Sequence, residues 1–131
     1  MGLKLTLKPG ERAVINGAVI VNGDRRSSFL VENMANVLRE ADIMQPEEAI
    51  TPAKRIYLPI MMMLIEQGRQ RELVKEFETR LKQFADAIYD IEALQICASL
   101  AAKVANCEYY KALALCRKLI AFEKTRLSNV A

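Results

Sequence analysis

Residues Leu3 to Asn33 read LKLTLKPGERAVINGAVIVNGDRRSSFLVEN, and this opening alternates and turns where the rest of the chain repeats with a helical period. Leu3, Leu5 and Leu7 alternate with Lys4, Thr6 and Lys8, which places the leucines on one face of a strand and the ammonium groups on the other. Pro9-Gly10 is a turn dipeptide. Glu11 to Ile15 then reads as a second strand, and Ala18 to Val21 as its partner across Asn16-Gly17, a pair suited to a type I′ turn because both centres need positive φ. Asn22-Gly23-Asp24 marks a further turn, with Arg25 and Arg26 at its exit, and Ser27 to Glu32 resumes strand character with Phe29 assigned to the core. The expected arrangement is an antiparallel meander over about residues 3–40, extended by Asn36 to Arg39.

Beyond this head the signals change. Pro46-Glu47-Glu48 carries a proline and two acids suited to a first helical turn, and Thr51-Pro52 supplies an N-cap followed by an N1 proline. A helix is predicted from Pro52 toward Gly68, kinked or split by Pro59. Leu73, Phe77, Leu81, Phe84 and Ile88 define an amphipathic helix from Gln70 to about Ile88. Residues 91–105 hold only Glu92 and Lys103 as charges and are assigned to a central buried helix. A last helix, about Cys107 to Leu127, offers Tyr109, Leu113, Cys116, Ile120 and Leu127 as its apolar stripe. Met61-Met62-Met63 is read as core packing. The class is therefore α+β: a β-rich head, residues 1–50, and a body of about four helices, residues 51–131, expected to fold as one cooperative domain.

Composition narrows the function. The chain has 131 residues, 52% of them hydrophobic and 27% charged, enough to bury a core without disulfides or metal. Three cysteines without a CxxC pair read as small buried hydrophobes. The absence of histidine removes Ser-His and Cys-His pairs and imidazole metal sites, so no enzyme activity, metal or cofactor is expected. No run approaches the ~20 apolar residues of a membrane span, and the N-terminus lacks the continuous apolar stretch of a signal peptide; a cytoplasmic location follows as the expectation. The first 31 residues hold five Lys/Arg against two acids and so account for the whole net charge of +3. A basic head on a neutral body points to an anionic partner.

LKLTLKPGER, followed by INGAVI, NGDRR, VLRE (37–40), DIMQPEEA and TPAKRIY, closely resembles the N-terminal half of the FlbT flagellin-synthesis regulators, over roughly Leu3 to Tyr57. Past Leu58 the likeness is mainly a helical pattern. The resemblance implies a bacterial post-transcriptional regulator, mostly repressing, that associates with the 5′ leader of flagellin messenger RNA and has a functional link to a small FlaF-like protein. It implies no catalytic residues.

Joined to the bottom-up reading, this gives a candidate RNA-binding set: Lys4 and Lys8 on one strand face, Arg12 across the first turn, Arg25 and Arg26 after the second, Asn16 and Asn22 as polar readers, and Lys54 and Arg55 as an extension. Such cations give affinity for phosphate but little sequence discrimination. Phe29 is the only aromatic residue among the first 50, so no stacking platform is expected there. The alternative is a helical protein-interaction adaptor in flagellum assembly, contacting a FlaF-like protein or flagellin and acting on RNA only through them. The support for that alternative is the apolar content of residues 58–127, more than one small core requires; a homo-oligomer is a further expectation.

Overall fold

The computed structural model describes residues 2–66 and 68–129, and of 127–129 the backbone alone. Five strands precede four helices: β1 (Leu3–Leu7), β2 (Arg12–Ile15), β3 (Ala18–Val21), β4 (Ser27–Val31), β5 (Val37–Arg39), α1 (Pro52–Ile65), α2 (Gln70–Ala87), α3 (Ile91–Ala105) and α4 (Tyr109–Asn129). Short 3-10 turns at Glu40–Asp42 and Pro46–Glu48 lie between β5 and α1. The chain divides into two compact units, Met1–Ile43 and Met44–Ala131. This is the expected α+β class.

Within the head the strands nest instead of following one another. β2 pairs with β3 across Asn16 and Gly17, whose φ of 50° and 84° are those a type I′ turn requires. β1 pairs with β4, from Leu3 opposite Val31 to Leu7 opposite Ser27. Both pairings belong to one long hairpin, and between them the ladder continues through Gly10 N–H to Gly23 C=O (3.1 Å) and Asn22 N–H to Glu11 C=O (2.9 Å). The hairpin bends at this point. Pro9 has no N–H to give the ladder, Gly10 takes φ 71°, and Glu11 N–H closes on Lys8 C=O at 3.0 Å, the pattern of a type II turn.

Bending lays the two halves face to face, so that Leu5, Leu7, Ala13 and Val37 form a core with Ile15 and Ala35 against it. β5 joins the far side of β2, Val14 opposite Leu38, giving the order β3-β2-β5. A simple meander would have paired β1 with β2; across the proline and glycine break β1 pairs with β4 instead. Phe29, assigned to the core from sequence, is 36% exposed, because β4 is an edge strand with one partner.

In the helical unit α1 is the central element, packed on both α2 and α4, while α3 packs on α4. Its buried residues Ala53, Ile56, Tyr57, Ile60, Met61, Met63 and Leu64 surround much of its circumference. Pro59 neither ends nor splits it. Proline removes the N–H that would bond to the carbonyl four residues earlier, and Arg80 Nη1 on α2 donates to that Arg55 oxygen at 2.7 Å instead. At the N-terminus Thr51 Oγ1 accepts from Lys54 N–H (3.3 Å), and Glu123 of α4 accepts from Ala53 N–H (3.0 Å).

α3 has the predicted bounds but not the predicted burial. Only Ala93, Cys97, Leu100 and Val104 are buried, while Ile91, Leu94 and four alanines are exposed. Alanines raise the apolar count of a segment yet bury little area, so composition alone overstated its place in the core. Cys97 and Cys116 are buried as expected; Cys107 is not, standing exposed at φ 58° where α3 ends. Leu127, expected on the stripe of α4, has its side chain outside the described residues.

Leu5 is fully buried, and Leu5→Ala is expected to lower stability by about 2–5 kcal/mol, read from urea unfolding. Asp90 caps α3 by accepting from Ala93 N–H at 3.1 Å; that bond, and secondarily Arg126, holds its carboxyl below the usual range. A depressed folded value means that this stabilisation is present above the ordinary aspartate range, near pH ~4, and is lost as pH falls through the folded value. Asp90→Asn keeps the acceptor without the titration, so its stability advantage or deficit relative to the parent should change between pH 6 and pH 3; parallel urea midpoints at both pH values, differing by a constant, would refute this.

Candidate nucleic-acid interface

Register decides which head cations can act together. Lys4 lies opposite Leu30 and Thr6 opposite Ser28, with the two hydroxyls 2.9 Å apart, so these four occupy the face of the β1–β4 ribbon turned away from Leu5 and Leu7. Lys8 and Arg26 continue the same parity just past the paired residues. Lys4 and Lys8 are roughly 13 Å apart along the strand at ~3.3 Å per residue, a spacing that follows a polyanion instead of clasping one phosphate.

Asn22 fastens this end of the ribbon. Its Nδ2 donates to the carbonyls of Leu7 (3.0 Å), Lys8 (2.9 Å) and Arg25 (2.9 Å), tying the Pro9-Gly10 turn to the turn that carries the arginines. Lys8 and Arg25 are thus brought together by a single amide. Asn16 is likewise engaged: its Oδ1 accepts from Asn36 N–H at 2.8 Å, and its own N–H donates to Asn36 C=O at 2.8 Å. Both asparagines, selected from sequence as polar readers, hold the backbone.

Lys4, Lys8, Arg12, Arg25 and Arg26 are all exposed, and among the described residues none of them forms an ion pair. Three acids lie near them: Asp24 is exposed immediately before Arg25, Glu11 spends one carboxylate oxygen on Lys8 N–H (2.8 Å), and Glu40 borders the Pro9-Gly10 turn. Arg12 is separated from the rest, since it lies opposite Val21 on the face of the second sheet that includes Val14 and Leu38.

Lys54 and Arg55 belong to the helical unit. Lys54 is half-buried in the first turn of α1, and Arg55 Nε donates to Ala49 C=O at 3.4 Å. Arg55 also joins Arg80 and Arg126 around a cleft of about 270 Å³ floored by Phe84, Ile88 and Phe122. This grouping is invisible to local sequence patterns, because its three arginines come from three helices. They are heavily engaged: Arg80 pairs with Glu76, and Arg126 with Asp90 at 3.0 Å while lying 5.2 Å over the Phe122 ring. No helix among the described residues is long and apolar enough to cross a membrane.

Residues 3–127 match the family model described as flagellar protein FlbT. The chain belongs to the FlbT family. It is 49% identical over 131 residues to the flagellum biosynthesis repressor protein FlbT of Caulobacter vibrioides, covering 100% of this chain and 93% of that relative. Identity is also 49% to a probable flagellum biosynthesis repressor of Caulobacter sp. strain K31, with both chains covered in full. A probable FlbT repressor of Bradyrhizobium diazoefficiens is 36% identical over 132 residues, 95% of this chain and 84% of that relative. No solved structure matches. The match extends the FlbT resemblance past Tyr57 into the helices, where the motifs alone were uninformative.

Asn22→Ala removes three hydrogen bonds at the bend, although Lys8 C=O keeps Glu11 N–H and Arg25 C=O keeps the Ser27 hydroxyl. It is expected to destabilise the protein by about 1–3 kcal/mol and to raise amide exchange first in residues 7–11 and 22–26. Unaltered exchange in those two turns would show that the clamp is dispensable.

Proposed function

We propose that this chain represses flagellum biosynthesis after transcription, its head contacting the 5′ leader of flagellin messenger RNA in the cytoplasm. The repressor role is supported by the names of relatives that align with nearly the whole chain. Contact with RNA is supported by one observation above others: Lys4, Lys8, Arg25 and Arg26 are exposed and free of ion pairs among the described residues, the last three gathered at one end of a ribbon by the Asn22 clamp and Lys4 further along its face. Cations so placed gain affinity by displacing the counterions of a phosphate backbone.

The ribbon offers little for reading bases. Phe29 is its only aromatic residue, so preference among sequences would come from backbone amides, arginine stacking or the shape of a folded leader. Lys4, Lys8, Arg25 and Arg26 therefore act as the phosphate-contacting residues, with Arg12 peripheral and Asn16 and Asn22 shaping the surface.

Filter-binding titration of purified protein against leader RNA at two salt concentrations tests the proposal. Arg25→Ala with Arg26→Ala is expected to weaken binding and flatten the salt slope by about one to two units. Unchanged affinity and slope would remove the head from the interface. No binding by the purified parent chain would favour the adaptor reading, in which RNA is reached only through another protein.

A further inference from the structure

Helix α3 carries an uncharged seam that no described part of its own chain covers. Ile91, Leu94, Ala98, Ala101 and Ala105 are all exposed, Ile91 at 74% and Leu94 at 38%. They follow one another at intervals of three, four, three and four, the spacing of a helix that packs along another helix. Beside the seam, α2 and α3 make the loosest contact among the packed helix pairs, leaving a groove of about 500 Å³. Its walls are apolar apart from Glu78 and Lys82, both on α2.

We propose that this groove seats a second copy of the chain, with the two α3 helices antiparallel about a two-fold axis at Ala98. Turned end for end about that residue, the bulky half of the seam meets the alanine half of its twin. Ile91 then lies opposite the partner's Ala105, and Leu94 opposite the partner's Ala101 and Ala102. Ala98 meets its own counterpart, where two backbones approach most closely and only a methyl group fits. A parallel pair would instead stack Ile91 on Ile91 and leave a gap between facing alanines.

The charges obey the same symmetry. α2 and α3 join through the short connection at residues 88–90, so Ala98 is level with the turn of α2 that carries Glu78 and Lys82. A two-fold axis there sets Glu78 against the partner's Lys82 and Lys82 against the partner's Glu78, an isologous contact. Glu78 has no ion pair among the described residues, and Lys82 has only the exposed Asp86 at 3.6 Å. The result is an intermolecular bundle of α2, α3 and their two counterparts.

Sedimentation equilibrium of the full chain at about 50 μM, above the micromolar range of a modest interface, should give twice the 14.8 kDa chain mass. Ala98→Glu buries two facing carboxylates at the axis, and dimerisation should weaken about 100-fold or more with helical circular dichroism unchanged. Glu78→Lys alone should weaken the dimer, and adding Lys82→Glu should restore it. In a Cys107→Ser background, Ala98→Cys should cross-link on mild oxidation and Ala105→Cys should not. A monomeric parent chain would leave the groove to a foreign helix and overturn the proposal. So would a dimer indifferent to Ala98→Glu, or one that the paired charge swap fails to restore.

Discussion

The helical unit depends on α1, a helix buried on so many sides that its polar backbone has to be satisfied by side chains from its neighbours. Glu123 reaches the Ala53 amide from α4, and Arg80 reaches from α2 to the Arg55 carbonyl that Pro59 leaves without its usual donor. Each bond places a long charged side chain against a backbone group and fixes the neighbour that carries it. Arg80 is held further by Glu76 one turn away, so the replacement donor is itself oriented. Burial of Ile56, Ile60 and Met63 supplies the driving force for packing, and these polar bonds select which packing is reached.

Much of this was legible in the residues. The Asn16-Gly17 hairpin, the Thr51-Pro52 start of α1 and the limits of α2 and α3 follow from local rules, since turn chemistry, capping and hydrophobic period act over a few positions. Three features did not follow, because each depends on residues far apart in sequence. β1 pairs with β4 across a bend that a Pro-Gly pair marks but does not aim. α3 lies at the periphery although it is the most evenly apolar segment, since alanine content is a poor measure of buried area. The continuity of α1 through Pro59 rests on an arginine 25 positions from the carbonyl it serves.

The candidate interface divides in the same way. Exposure of the head cations was predictable from alternation, because lysines interleaved with core leucines must face water. Their grouping was not, because it rests on the Asn22 amide, a side chain that composition would assign to a partner and that the fold uses for itself. In this FlbT family member the exposed head cations and the residue that positions them are therefore different sets. The first presents charge to solvent, whereas the second works through an amide of fixed geometry.

The bond from Glu123 to Ala53 spans 70 positions of sequence. During synthesis the head and the first three helices leave the ribosome before the carboxylate that completes the start of α1, and before the α4 surface on which α1 packs. A nascent or truncated chain lacking α4 holds α1, its most buried helix, partly uncovered, in the condition chaperones and proteases recognise. Closure of the helical unit therefore waits on α4, and a fragment cut before α4 carries the basic head on an open body.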